Sequence, residues 1–315
     1  MVAITAELAN FAASVPGSVG ICAQHVETQQ RVEYNAETRF PMASTFKVPL
    51  AAYVLALVDR GDLHLDQLIE VLPGDICPGS GIIQSLLFHP GLHLSIANLL
   101  ELALVISDNT ASDVLLRVAG GPERVTHFLR EHDLAEIHLD RFTRQLVADK
   151  YGLNDLALPG NWSLEQFRAR YDRLTSAQLS AAAAAFSGDE RDTTTTAAMT
   201  DLLVGLATAD ILSQGNRTFL LAVMQRCQTG AGALRGMLPP GVPVAHKTGT
   251  LTEVVANDVG IITLPENAGS VAIAVCVKSP EAQGDPASSC QRVIAHSARA
   301  LYDYYRFQEP APANV

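Results

Sequence analysis

The chain opens on MVAITAELANFAASVPGS, where apolar residues recur at helical spacing until Pro16 and Gly17 stop them, so a first amphipathic helix is predicted. SVGICAQHVET and RVEYNA follow as two strand-like runs separated by polar residues, the pattern of a hairpin. A long helical pattern then begins near Ser44 in STFKVPLAAYVLALVDRG and ends at Gly61, with Pro49 tolerated because it falls close to the helix start. From Gly61 to about Ala222 the apolar spacing reads as helices and loops, clearest in LSIANLLELALVI, TASDVLLRVAG, PERVTHFLREH and TTTAAMTDLLVGLA. The alanine run at 181–185 is helix-forming, and the threonines at 193–196 read as a helix start. The final third changes period: VPVAHKTGT, NDVGIITLP and SVAIAVCVKS are strand candidates, closed by a helix around CQRVIAHSARALYDYYRF.

This order argues for an α+β protein whose sheet is assembled from both ends of the chain. Residues 1–42 and 226–315 are expected to form the sheet lobe. Residues 43–225 are expected to form a helical lobe carrying an insertion at about 145–188, the stretch with the weakest pattern.

Composition narrows the function classes. With 48% hydrophobic and 17% charged residues over 315 positions, the chain has the makings of a buried core rather than of disorder. Its 33 acidic against 22 basic side chains leave a formal charge of −11, which argues against nucleic acid as a partner. The five cysteines are odd in number, widely spaced and without a C-x-x-C pair, so neither a disulfide framework nor a metal site is expected, and Cys276 within VAIAVCV reads as a buried apolar residue. Nine histidines include no H-E-x-x-H, and GAGALRG at 230–236 lacks the G-K-[ST] ending of a P-loop, so no metal and no cofactor are expected. No apolar stretch reaches the roughly 20 residues a bilayer requires, and the start shows no basic region followed by an apolar core and a cleavage site. The expectation is a cytoplasmic protein with no membrane partner. A secreted or periplasmic chain whose leader had been removed would read the same.

Three short motifs carry chemistry. Ser44 and Lys47 stand three apart at the opening of a helix, so hydroxyl and amine share one face. A serine is a weak nucleophile until a base takes its proton, and a desolvated lysine can serve as that base. Ser107-Asp108-Asn109 follows an apolar helix 63 residues later, and Lys247-Thr248-Gly249 lies on a predicted strand 203 residues after Ser44. Each alone reads as a cap or a turn; together, in the order S-x-x-K, S-D-N, K-T-G, they are the pattern of class A β-lactamases and penicillin-binding proteins.

RFPMASTFKVPLAAYVLALVDRG, ISDNTASDVLL, GGPERVTHFLRE, LDRF, GDERDTTTTAAM, AHKTGT and ANDVGI extend the likeness, and the chain resembles class A β-lactamases along nearly its whole length. The resemblance implies an antiparallel sheet flanked by helices beside an all-helical domain, with the active site in the cleft between them. It implies Ser44 as the acylated nucleophile, Lys47 as its proton acceptor, and Ser107 as the proton relay to the leaving group. It further implies that Asn109 binds a substrate carbonyl, that Lys247 holds Ser107 and sets the local field, that Thr248 and Gly249 meet a substrate carboxylate, and that the N–H groups of Ser44 and Thr250 form an oxyanion hole.

The likeness breaks at the step that hydrolyses the acyl-enzyme. The family uses a glutamate in E-x-x-x-N to activate water. Alignment on LDRF puts Thr143 at that position; alignment on YGLN puts Lys150 there and matches only the asparagine, Asn154. Glu165 falls in the insertion with helical periodicity and reads as a solvated face. Gly79 stands where an aromatic residue is usual, Ala256 where an anchoring arginine has no counterpart, and His246 where an acid usually precedes KTG; Arg235 matches an arginine of the fold. The acylating parts are present and the water-activating base is missing. The expected activity is therefore serine-dependent acyl transfer from a small-molecule donor to a small-molecule acceptor, as a transacylase, esterase or amidase acting on a non-β-lactam ester or amide. A true β-lactamase and a penicillin sensor that is acylated once remain the alternatives.

Overall fold

A computed structural model describes residues 2–156, 162–208, 210–251, 255–279 and 286–307, with the side chains of the last stretch described from 289 onward. The chain forms two compact units, one from residues 1–45 and 194–315 and one from residues 46–193. The helices Thr196–Thr208 and Gln214–Gln225 thus belong with the sheet, whereas the sequence pattern assigned everything up to residue 225 to the helical lobe. Helical periodicity records that a face is buried and is silent on what buries it.

In the first unit five antiparallel strands lie in the order Arg31–Tyr34, Ser18–His25, Ser270–Lys278, Val255–Thr263, Val244–Leu251. The expected hairpin and the three expected C-terminal strands account for all five. Ser270–Lys278 is buried from Val271 to Val277 without alternation, because as the central strand it is covered on both faces. One face packs against Val2–Ala12 and Pro286–Arg306, with Leu8, Ile294, Ala298 and Leu301 meeting Ile21, Ile273, Val275 and Val277 in one core. On the other, Thr200 of Thr196–Thr208 donates its hydroxyl to the Cys22 carbonyl at 3.1 Å. Cys276 is fully buried, as its apolar run predicts.

In the second unit Lys47–Asp59 is buried continuously from Lys47 to Ala56, the all-round burial of a central helix. Ile96–Val105, Asn109–Val118 and Pro122–Glu131 pack against it. The side chains of Ser95 and Asp108 cap the first two of these, accepting from the N–H groups of Asn98 and Ala111. Leu68–Glu70 pairs with His93–Ser95 where the sequence pattern showed only helices and loops; three residues a side are too few to display a period of two. The insertion contains the helices Thr143–Lys150, Leu164–Tyr171 and Ser176–Phe186, the first and second enclosing a small core of Ala148, Leu153, Leu156 and Phe167. Among the described residues no helix is long and apolar enough to cross a membrane.

Candidate active site

In the first unit Ser44 lies in a tight 3-10 turn, Ala43–Phe46, that runs directly into Lys47–Asp59. Ala43 holds φ at 47°, a left-handed conformation that costs a non-glycine residue energy and persists only where its surroundings impose it. Those surroundings are polar. Thr45 donates backbone N–H and hydroxyl to the Met42 carbonyl at 3.2 and 2.7 Å, and Asn257 donates its amide to the carbonyls of Pro41 and Met42 at 2.8 and 3.1 Å. Ala43 and Thr45 are buried while Ser44 is partly exposed, so the turn lifts the hydroxyl out of an otherwise closed segment.

The turn rests on the strand Val244–Leu251. A Cβ on Gly249 would come within 2.6 Å of the Met42 carbonyl oxygen and 3.0 Å of the Thr45 nitrogen, a backbone approach that only glycine permits. Asn257 pairs with Gly249 across the neighbouring strand, which is why its amide reaches the same turn. Val244–Leu251 is the last strand of the sheet, with Thr250 exposed, Thr248 partly exposed and Lys247 fully buried. Lys247 Nζ donates to the Thr248 carbonyl at 2.7 Å, and burial pulls its amine down to about 8, against the opposing pull of Cys227 and Asp258.

In the second unit the buried amine of Lys47 donates to the Ser107 carbonyl at 2.7 Å, the Ser107 hydroxyl at 3.1 Å and Asn109 Oδ1 at 3.0 Å. Ser107, like Ala43, is held in the left-handed region, with φ at 61°. The loop 78–83 clamps it in place: Asp108 Oδ2 accepts from the N–H groups of Ile82 and Ile83, and Asn109 donates to the Pro78 carbonyl at 3.0 Å. A Cβ on Gly79 would touch the Asn109 amide at 3.0 Å, so the residue standing at the usual aromatic position forms part of this clamp. The Lys47 amine is thus held by two carbonyls and also meets the Ser107 hydroxyl.

Neither candidate for a water-activating residue supplies a carboxylate. Thr143 is buried, its N–H donating to Asp113 Oδ1 at 2.7 Å while Arg144 pairs with the same carboxylate, and its own hydroxyl has no partner. Burial raises the Asp113 carboxyl above its ordinary range, opposed by Arg144 and the Thr143 N–H. Lys150 ends the helix Thr143–Lys150 with its amine 4.9 Å from the Tyr151 ring, Asn154 is exposed in the turn beyond it, and Glu165 is exposed in the first turn of its helix. The insertion is closed by Arg141, buried between Asp149, Asp189 and Asp192 at 2.7, 2.8 and 2.6 Å. Arg235 bonds the carbonyls of Cys227 and Val244, a structural use consistent with its sequence reading.

His246, which stands where an acid usually precedes KTG, is fully buried, and its Nδ1 meets both oxygens of Asp258 at 2.9 and 3.0 Å. Burial opposes the imidazolium, but Asp258 outweighs it and raises His246 to about 9. From the sequence, Asn257 and Asp258 enter only as part of ANDVGI and receive no role; the one available signal was Asn-Asp inside an otherwise apolar strand.

The Beta-lactamase enzyme family matches residues 3–305. The chain is 26% identical over 309 residues to the β-lactamase VEB-1 of Pseudomonas aeruginosa, covering 96% of this chain and 90% of that one. It is 29% identical over 249 residues to the β-lactamase L2 of Stenotrophomonas maltophilia, covering 79% and 69%. Among solved structures, an ancestral (GNCA) class A β-lactamase superposes with a TM-score of 0.77 at 31% identity over 96% and 99% of the two chains. A β-lactamase from Chitinophaga pinensis gives 0.75 at 28% over 96% and 99%. Agreement of sequence and backbone over almost the entire length places this chain in the β-lactamase enzyme family, as a serine hydrolase of the class A type.

Proposed function

We propose that this protein opens β-lactams by acylation at Ser44 and releases the acyl group slowly. The observation that carries the acylation half is Lys47, whose buried amine is fixed on Ser107 and Asn109 three residues after a serine held in a strained, partly exposed turn. The names of its relatives support a β-lactam as the acyl donor. They lend no support to a non-β-lactam ester or amide, the donor that the departures from the family motif first suggested.

Ser44 Oγ attacks the lactam carbonyl carbon as Lys47 accepts its proton, and the N–H groups of Ser44 and Thr250 receive the developing oxyanion. The C–N bond then breaks, Ser107 passes a proton to the departing nitrogen, and the product is an ester on Ser44. Asn109 positions a substrate carbonyl. Lys247, Thr248 and Gly249 face the substrate's anionic group, with Ala256 offering no arginine to help. Deacylation is the slow half because Thr143 presents a hydroxyl that cannot act as a general base near neutral pH. A lingering ester can pass to water or to an amine or alcohol, so hydrolysis and transfer share one intermediate.

Mass spectrometry of the intact protein after mixing with a penicillin, beside a turnover assay with a chromogenic cephalosporin, tests the reading. A persistent adduct on Ser44 with slow turnover is expected, and Ser44→Ala should abolish both. Absence of any adduct and any turnover in the native protein would overturn it.

A further inference from the structure

Within the second unit the segment 76–84 is bonded on one side to the S-D-N residues and on the other to the insertion. Ser163 caps the helix Leu164–Tyr171 by accepting the Gln166 N–H, which puts Trp162 just before the cap and Phe167 at the end of the first turn. Their rings pack with centroids 5.5 Å apart, the hydrophobic staple that fixes how a chain enters a helix. Phe167 is buried in the small core of the insertion and stacks on Tyr171, so the indole of Trp162 is anchored by its ring. Its N–H donates to the Ile76 carbonyl at 2.9 Å. Further along the same helix, Arg168 Nη2 donates to Gln84 Oε1 at 3.0 Å, and Gln84 Nε2 reaches the Gly79 carbonyl at 3.4 Å.

Around and between these tethers the segment grips the residues that hold Lys47. Cys77 donates its N–H to Thr110 Oγ1 at 3.0 Å, the Pro78 carbonyl accepts from Asn109 Nδ2 at 3.0 Å, and the Ser80 carbonyl accepts the Asn109 N–H at 3.0 Å. A Cβ on Gly81, where φ is 110°, would fall 2.2 Å from Asp108 Oδ2, so the approach there requires glycine.

We propose that Trp162 and Arg168 are positioning residues through which the insertion sets, by way of the segment 76–84, the direction in which the Asn109 amide meets its substrate carbonyl. An asparagine amide has one oxygen and two N–H donors. Lys47 takes the oxygen at 3.0 Å and the Pro78 carbonyl takes one N–H, leaving the second for the substrate. The position of Pro78 therefore fixes where that second N–H points, and Pro78 lies between Ile76 and Gly79, the two residues that Trp162 and Gln84 hold. Trp162 is the firmer tether, because packing immobilises its ring, whereas Arg168 is exposed and acts through a longer bond. The positioning role rests on the function proposed above; the tether does not.

Hydrogen–deuterium exchange of the intact protein tests the tether. Trp162→Phe keeps an aromatic ring for the staple and deletes the indole N–H. Peptides covering 76–84 should exchange about fivefold faster in it, the effect of losing one hydrogen bond. Arg170→Met, which removes only a partner of Asp155 on the same helix, should exchange there as the native protein does. Native exchange over 76–84 in Trp162→Phe would overturn the tether.

The positioning role is read from the rate at which the adduct forms on Ser44. With benzylpenicillin, whose side-chain amide carries a carbonyl for Asn109, acylation of Trp162→Phe should slow by about fivefold while kcat, set by release, stays within about twofold. With 6-aminopenicillanic acid, which lacks that carbonyl, acylation should stay within about twofold of the native rate. Equal slowing with both penicillins, or no slowing with either, would overturn the role. If benzylpenicillin neither labels the native protein nor is turned over by it, the proposed function and the positioning role fall together, while exchange still decides the tether.

Discussion

The Met42 carbonyl oxygen lies where a side chain on Gly249 would have to begin, 2.6 Å from an ideal Cβ. The turn that carries Ser44 and the KTG strand are therefore in backbone contact. Gly249→Ala should push the turn away at a cost of about 1–3 kcal/mol, the range for overpacking a tight site. Thermal melting should show the loss, and acylation of Ser44 should slow beyond what the lower stability explains. A native rate in a folded variant would show that the contact does not position the serine.

Lys47→Met keeps the buried stem and deletes the amine that Ser107 and Asn109 hold. Acylation should fall by about 10²–10⁴, the contribution of a positioned general base. The rate at which the penicillin adduct appears measures it directly.

Arg141 ties the two ends of the insertion together through three carboxylates, and Asp140 and Asp192 add reciprocal backbone bonds at 2.9 and 2.7 Å. Removing Arg141 leaves Asp149 and Asp189 with Arg191, at 3.0 and 2.7 Å, but strips the buried Asp192 of its ion-pair partner. Arg141→Ala should cost about 3–5 kcal/mol, as expected when one member of a buried ionic cluster is deleted. Urea unfolding and the rate of proteolytic cleavage within 141–192 would register it.

The His246–Asp258 pair should make stability depend on pH with a definite sign. The folded imidazole, raised to about 9, binds its proton more tightly than an unfolded histidine near 6.5. Its contribution is therefore complete below the unfolded value and disappears as pH rises through about 9. His246→Asn should destabilise the protein more at about pH 6 than at about pH 10, by roughly 2–3 kcal/mol. Equal urea midpoint shifts at the two values would contradict the assignment.

Thr143→Glu supplies the carboxylate that the family motif places in this loop. Deacylation of the penicillin adduct should accelerate by about tenfold or more, general-base catalysis being worth 10²–10⁴ at full efficiency. The buried Asp113 beside it will keep the gain below that ceiling, because a second carboxylate there must compete for the same N–H donors and the same Arg144. An adduct as persistent as before would mean that release is limited elsewhere.

Much of this was legible from the chain alone. Spacing placed Ser44 and Lys47 on one helix opening, and the order of three motifs pointed to the family and its fold, because each depends on near neighbours in sequence. Three features depended on contacts between segments far apart. The affiliation of Thr196–Thr208 and Gln214–Gln225 with the sheet was hidden because a buried face does not name its partner. The left-handed turn at Ala43 was hidden because Asn257 and Gly249, more than two hundred residues away, hold it in place. The His246–Asp258 pair was hidden because its members lie on two neighbouring strands, at a spacing no local motif records. Sequence determined which groups can react; the packing of strand against turn decided which of them are buried, paired and charged.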